Sequence, residues 1–251
     1  FSPEFFNIYL FAKIFYHIRF STFQKMLRAT HMNSWYPSGS QLDRMLKEAY
    51  DEAKVVPGQG IVKAIIVPHA GYRFCVKTSM NAFRNLDPSA YDRVFVLGPS
   101  HQIPISNCTI ADATTAESPY GEIPFDVDVC KRLISNHPKL FKKLDRETAS
   151  VEHSMEMEFP LLKYVFKDKP FKIVPIMVGQ LSFDACTETA EALREYVTDP
   201  RTLLVISSDF CHWGARFGYT YLPSIEGQVY EKINKLDQDG AEMISTGEPK
   251  K

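Results

Sequence analysis

The sequence predicts an α/β fold in which a central sheet is covered by helices on both faces. Short, almost continuously apolar runs rich in β-branched residues alternate along the chain with stretches of helical spacing. Such runs are typical of strands that are buried on both faces of a sheet. The 251 residues contain no internal repeat and no low-complexity linker, and this length suits one large α/β domain.

The individual elements follow from these runs in chain order. Strands are predicted over residues 61–67, 93–97, 171–178 and 202–207, with a further one over 107–111. Helices are predicted over residues 75–84, 126–135, 156–166, 183–197 and 226–244. Pro175 lies inside a predicted strand, which indicates either a local irregularity or a strand at the sheet edge.

Charge and cysteine content argue against two classes of protein, nucleic-acid-binding proteins and secreted disulfide-rich proteins. Lys and Arg number 29 against 30 Asp and Glu, so the chain lacks the basic excess of a nucleic-acid-binding surface. The five cysteines are odd in number and none stand at CxxC spacing. This pattern argues against a secreted disulfide framework and favours a reducing compartment.

The first 27 residues differ in composition from the rest. Residues 5–23 are rich in aromatic side chains, but their longest uncharged run, residues 5–12, is far short of the roughly 20 residues that a spanning helix needs. No cleavage site of small residues follows, as a signal peptide would require. We expect residues 1–27 to be an extension outside the core fold, with no membrane span, and an interfacial amphipathic helix is the weaker interpretation.

Three predicted strands run directly into a histidine. His69 follows the strand at 61–67, His101 follows the strand at 93–97, and His212 follows the strand at 202–207, three residues after Asp209. Ligands of open α/β sheets bind beyond the carboxyl ends of the strands, so these side chains are expected to converge. Imidazole is a common ligand of zinc, iron and copper. The pattern alone leaves a metal site and ordinary hydrogen-bonded histidines equally open.

A fourth polar segment begins at Glu152 and His153. Both side chains could reach the same pocket, but a capped helix start with Ser154 as the cap explains the segment equally well. His17, His31 and His137 have no comparable context and are interpreted as structural or surface residues. The chain lacks a G-x-S-x-G elbow, a Walker loop and a GxGxxG loop, which disfavours those hydrolase and nucleotide-binding classes.

At these residues the chain resembles the Memo family, the mediators of receptor-tyrosine-kinase-driven cell motility. The resemblance is carried by the strings IIVPHAGYRFCV, VFVLGPSHQIP, EHSMEMEFPLL, IVPIMVG and VISSDFCHWGARFGY, and by THMNSWYPSGSQL before them. It implies a single domain over residues 28–251, with a central mixed sheet flanked by helices as in class III extradiol dioxygenases. In those enzymes two histidines and a carboxylate bind iron, and a further histidine acts as a base.

The resemblance also implies a site and a function. It places metal-binding histidines at His69 and His101, and the catalytic pair at Asp209 and His212. It implies a mononuclear iron or copper site, and signalling for cell motility and the cytoskeleton through a phosphorylated receptor tail or an adaptor. We therefore expect a metal-binding protein of the cytoplasm, with the nucleus as a second location. Whether it is a metal-dependent oxidoreductase stays open.

Two alternatives and one departure accompany this expectation. The chain is alternatively an active non-haem iron dioxygenase, or a metal-free adaptor that binds phosphopeptides, although no arginine cluster of the kind that binds phosphate is evident. The family's third metal ligand, a cysteine, lies in a segment beyond the helix that ends near Ile244, and none of the five cysteines matches it. The C-terminal part of the fold is accordingly expected to be missing.

Overall fold

The computed structural model describes residues 25–58 and 60–248. Of these, the described residues up to Ser207 form one compact unit, and those from Ser208 to Glu248 form a second. The predicted α/β class, with a mixed sheet flanked by helices, is confirmed in the first unit. The aromatic stretch at 5–23 lies outside the described residues, so the division into an extension (1–27) and a domain (28–251) stays a prediction. Among the described helices, none combines the length and apolar character needed to cross a membrane.

The strands of the first unit are β1 (Met26–Leu27), β2 (Ala64–Val67), β3 (Arg93–Pro99), β4 (Cys108–Ala111), β5 (Thr115–Ala116), β6 (Ile123–Pro124), β7 (Phe141–Leu144), β8 (Lys172–Val178) and β9 (Thr202–Ser207). Its helices are α1 (Gly39–Glu52), α2 (Tyr72–Phe83), α3 (Val127–Asn136), α4 (Arg146–Ser150), α5 (Glu158–Phe166) and α6 (Phe183–Val197).

The main sheet has six strands in the order β2-β9-β3-β8-β4-β7. Neighbours from β2 to β8 are parallel, β4 is antiparallel to β8, and β7 is parallel to β4. In β3 the consecutive residues Val94, Phe95 and Val96 are all fully buried. Consecutive side chains of a strand point to opposite faces, so both faces of this strand are covered, as its apolar run predicts.

Pro175 lies in an internal strand, because β8 has β3 on one side and β4 on the other. On the β4 side, pairing of β8 is interrupted: Ile173 bridges to Phe125, and β4 begins to pair only at Met177. A proline lacks the backbone N–H that a continuous ladder would use, so it fits this interruption. Of the two predictions for Pro175, the local irregularity is therefore confirmed, and the position at the sheet edge is wrong.

Helix α1 and strand β7 are among the elements that were not foreseen from the sequence. Helix α1 buries Leu42, Leu46 and Ala49, which recur at helical spacing on its inner face. Strand β7 is a short edge strand whose two central lysines are exposed. Charged side chains on an edge strand discourage pairing with another chain, but they also weaken the apolar signal by which a strand is recognised.

The second unit contains a short 3-10 turn (Ala215–Phe217) and the helix α7 (Val229–Ser245), close to the predicted 226–244. The backbone N–H of Gln228 donates to the Glu231 carboxylate at 2.7 Å, which caps the start of α7. No described residue of α7 is fully buried.

Candidate metal centre

Two predicted ligands lie at the carboxyl-terminal edge of the main sheet. His69 follows β2 by two residues, and His101 follows β3 by two residues. Strand β9 lies between β2 and β3, and it ends at Ser207, which is in register with Val67. Parallel strands end at a common edge, so the sheet itself brings these three positions together.

A third histidine, His153, lies close to His69 and His101. We call these three residues the His cluster. One ligand nitrogen from each of these rings lies within 4.8 Å of the others, close enough for the group to hold a single metal ion. The ring centroids are 5.2 Å apart for His69 and His101, and 4.4 Å apart for His101 and His153. His69 and His153 are buried, whereas the His101 side chain is 39% exposed. The prediction that His69 and His101 approach each other is confirmed.

His153 reaches the cluster because its segment packs tightly against the end of β3. The Ser154 hydroxyl donates to the Pro99 carbonyl at 2.8 Å. A Cβ added at Gly98 would lie 2.6 Å from the Ser154 hydroxyl oxygen and 3.0 Å from Met155, so only glycine permits this approach. Ser154 is therefore a packing residue and not the cap of the following helix, since α5 begins at Glu158 with Met157 as its N-cap.

Glu152 orients His101. Its buried carboxylate accepts hydrogen bonds from His101 Nδ1 at 2.9 Å, from the His101 backbone at 2.6 Å, and from the Ser154 backbone at 2.9 Å. Burial raises the pKa of this carboxyl, but the hydrogen bonds from His101 outweigh burial and bring the pKa down to about 2. An ionised carboxylate only accepts, so His101 carries its proton on Nδ1, and Nε2 is the ring nitrogen with a lone pair that could bind a metal.

His69 has a different partner. Its Nδ1 lies 2.8 Å from the hydroxyl oxygen of Ser207. That oxygen also lies 2.6 Å from the Ser154 carbonyl and 3.1 Å from a carboxyl oxygen of Glu158. Ser207, Ser154 and Glu158 are all buried, so this small polar network is shielded from water.

His153 is neutral near pH 7. Burial lowers its pKa to about 4, and the neighbouring His101 adds to this effect. Metal ions bind neutral imidazole, so the lowered pKa favours the form that acts as a ligand. Three imidazole nitrogens make a donor set that suits zinc, iron and copper.

A segment from the N-terminal side, residues 28–36, lines one side of the cluster. Trp35 stacks on His153 with centroids 4.2 Å apart and an interplanar angle of 34°. The buried Glu156 holds the segment: its carboxylate accepts from the backbone of Thr30 and His31, from His31 Nδ1 at 2.7 Å and from the Tyr36 hydroxyl at 2.8 Å. The hydrogen bonds to Glu156 make His31 a structural residue. This was one of the two interpretations that the sequence left for His31, the other being a surface residue.

A groove of about 540 Å³ lies on the outer side of Trp35. Its lining includes Trp35, Tyr36, Pro37, Arg73 and Phe74. The Arg73 guanidinium lies 4.4 Å from the centroid of the Phe74 ring, whose side chain is largely exposed. This groove offers aromatic surface and a positive charge beside the His cluster.

Asp209 and His212 belong to the second unit. The Oδ2 atom of Asp209 lies 3.5 Å from Nε2 of His212. His212 Nδ1 donates to the Phe210 carbonyl at 2.9 Å, so this carbonyl sets the tautomer of the ring, and Asp209 does not. The two side chains are therefore close to each other, and their role as a catalytic pair beside the metal stays a prediction.

The sequence left Glu152 and His153 undecided and Ser207 unnoticed. His153 carried a signal, because Glu152 and His153 are charged or polar residues just before an apolar helix. Ser207 carried none beyond its place at the end of a predicted strand. A serine there becomes meaningful only when the order of the strands places it between His69 and His101.

Comparison with known proteins places this geometry in a family. The family described as "Memo-like protein" matches residues 28–251. Protein MEMO1 of Danio rerio is 38% identical over 224 residues, which cover 88% of this chain and 74% of the relative. Protein MEMO1 of Homo sapiens is 35% identical over 225 residues, with the same coverage. Protein memo-1 homolog of Caenorhabditis elegans is 37% identical over 223 residues, or 88% of this chain and 63% of that relative. The chain belongs to the Memo family.

Proposed function

We propose that this protein is a mononuclear metal-binding member of the Memo family whose ligands are His69, His101 and His153. The observation that supports the proposal is the convergence of three imidazole rings at one edge of the sheet. Glu152 supports it further, because an ionised carboxylate behind a histidine is the arrangement that orients metal ligands in proteins.

In this proposal His153 supplies the third ligand, the position for which the family resemblance implies a cysteine. Imidazole suits iron and copper, and it also suits zinc, whereas thiolate favours Cu(I) most. Because imidazole ligands do not distinguish these metals, we propose iron or copper on the strength of the family resemblance. A bound ion would supply Lewis-acid and redox chemistry, while the protein holds the rings in place and the aromatic wall at Trp35 limits access of water.

Elemental analysis of the full chain, purified without added metal, tests the proposal. We expect about one metal ion per chain, and we expect His153→Ala to lose most of it. His137→Ala is the matched control, because His137 caps the end of α3 and is outside the His cluster. A wild-type chain that stays metal-free after incubation with Fe(II), Cu(I) and Zn(II) contradicts the proposal.

Signalling and redox activity extend this proposal. Family membership supports a role in cell motility, with a phosphorylated receptor tail or adaptor as partner and the cytoplasm and nucleus as locations. For the redox activity, Asp209 and His212 are the proposed proton-handling pair. Replacing His212 with Ala is expected to spare metal content and alter any oxidase rate. A metal-loaded wild type that consumes oxygen only with catechol substrates would instead identify an active ring-cleaving dioxygenase.

The groove beside Trp35 supports a second candidate function, a metal-free adaptor that binds phosphopeptides. Exposed aromatic rings and Arg73 fit a peptide that carries an acidic group, although a single guanidinium is weaker than the clusters that usually bind phosphate. Fluorescence anisotropy with a phosphotyrosine peptide, with and without chelator, separates the two candidates. Binding that is unchanged by chelator and by His101→Ala, but lost in Arg73→Ala, favours the adaptor.

A further inference from the structure

Ser207 occupies the central position behind the His cluster. It is the last residue of β9, the strand between those that lead to His69 and His101. Its side chain is buried, and its hydroxyl oxygen has three polar neighbours: His69 Nδ1 at 2.8 Å, the Ser154 carbonyl at 2.6 Å and the Glu158 carboxyl at 3.1 Å. One hydroxyl therefore links a metal ligand to two oxygens of the α4–α5 region.

The single hydroxyl proton of Ser207 determines which of its hydrogen bonds it donates and which it accepts. A serine hydroxyl has one proton to donate and two lone pairs that accept. The Ser154 carbonyl only accepts and lies nearest, so the Ser207 proton is committed to an oxygen. The bond to His69 then requires a proton on His69 Nδ1, because Ser207 has none left to donate to that nitrogen.

We propose that Ser207 is a positioning residue that holds His69 in the Nδ1–H tautomer and so directs Nε2 toward the metal; this rests on the metal-binding function proposed above. It does for His69 what Glu152 does for His101. The two ligands thus have the same tautomer by different means, a neutral hydroxyl in one case and an ionised carboxylate in the other.

The position of Ser207 in the fold makes this control rigid. β9 is paired with β2 as far as Ser207 and with β3 as far as Ile206, so the position of Ser207 is fixed by the two strands that lead to the ligands. The Glu158 carboxyl at the start of α5 adds a second oxygen against the hydroxyl, and its full burial keeps water from replacing either neighbour.

The first test measures the tautomer directly in the metal-free full chain near neutral pH. Long-range proton–nitrogen NMR distinguishes a protonated ring nitrogen from an unprotonated one, and His69→Gln assigns the signals. We expect the wild type to carry its proton on Nδ1 and Ser207→Ala to shift the population toward Nε2–H. Ser207→Thr keeps the hydroxyl and is expected to keep the wild-type signals. Ser208→Ala, an exposed neighbour, is the matched control.

Two results of this test overturn the proposal: a wild-type His69 with its proton on Nε2, or ring nitrogen shifts that are the same in wild type and Ser207→Ala. If Ser207→Ala does not fold, as judged by circular dichroism, Ser207→Cys replaces it. The thiol is close in size but is a weak hydrogen-bonding group, so the same shift toward Nε2–H is expected.

The second test measures zinc affinity by competition with a chelator. We expect Ser207→Ala to bind zinc roughly 10- to 100-fold more weakly, as is usual when the group behind a ligand is lost, and Ser207→Thr to bind like wild type. Equal affinity of Ser207→Ala and wild type overturns the positioning role. A wild type that binds no zinc contradicts the proposed function instead, and the tautomer result then still decides the assignment of Ser207.

Discussion

At the scale of single residues, Gly98 determines how closely the His153 segment approaches the sheet. A side chain at this position would overlap the Ser154 hydroxyl, at 2.6 Å, and Met155. Because the segment also carries Glu152 and His153, a shift there would move a ligand and the group that orients another. The site therefore depends on a residue that has no functional group of its own.

We predict that Gly98→Ala lowers the free energy of unfolding by about 1–3 kcal/mol, the usual cost of forcing extra volume into a packed interior. Chemical denaturation measures it. Gly60→Ala is the control, because a Cβ there meets no atom within 4 Å and its backbone is not left-handed. Equal denaturation midpoints for the two variants would show that the Ser154 segment moves aside without loss of stability.

Glu152 is a second residue at which a small change tests the site. We predict that Glu152→Gln weakens zinc binding by roughly 10- to 100-fold, because the neutral amide no longer favours a proton on His101 Nδ1. The comparison is Glu147→Gln, the same exchange at an exposed position in α4. Isothermal titration measures the zinc affinity of both variants. An unchanged affinity in Glu152→Gln would show that this carboxylate does not contribute to zinc binding.

At the scale of elements, one carboxylate makes four of the hydrogen bonds that hold residues 28–36 in place. Glu156 accepts four hydrogen bonds from this segment, two from the backbone and two from side chains. The hydroxyl of Tyr36 has a pKa raised by burial and by the neighbouring Glu156, so it remains a donor. The segment in turn holds Trp35 against His153.

We predict that Glu156→Gln destabilises the protein by about 1–3 kcal/mol, because an amide cannot accept all four hydrogens and leaves buried or partly buried donors unsatisfied. Hydrogen exchange at the amides of Thr30 and His31 is expected to accelerate. Glu117→Gln is the milder counterpart, since Glu117 contacts the same segment through Ala29 and Arg28 but is less buried. Slow exchange retained in Glu156→Gln would contradict this account of the segment.

The elements also show which parts of the fold a sequence can predict. Strands β2, β3, β8 and β9 were predicted from their apolar runs, and the runs of β2 and β3 placed His69 and His101 correctly at strand ends. The position of His153 depends instead on tertiary packing at Gly98, which no local pattern encodes. Helix α1 did have a local signal, the spacing of Leu42, Leu46 and Ala49, but it lies in a stretch that is otherwise polar.

At the scale of the whole molecule, a bound metal would join parts of the first unit that are distant in sequence. His69, His101 and His153 lie on three different connections of the chain. An ion held by all three binds the folded state and not the unfolded one, so it stabilises the fold by mass action.

We predict that zinc raises the melting temperature of the wild type in a concentration-dependent manner, corresponding to about 2.7 kcal/mol when free zinc is 100 times the dissociation constant. Chelator is expected to reverse the rise. Differential scanning calorimetry is the measurement, and a chain with both His69→Ala and His101→Ala provides the comparison. A similar rise in that double variant would indicate binding elsewhere.

The strand order has a consequence for how the protein is made on the ribosome. In the main sheet β2 has β9 as its neighbour, although 134 residues separate Val67 from Thr202 as the chain is numbered. A nascent chain that has not yet emerged past β9 can pair β3 with β8, but it has no neighbour in this sheet for β2. His69 therefore has no fixed place until β9 has emerged, and we expect metal loading to follow the insertion of β9 between β2 and β3.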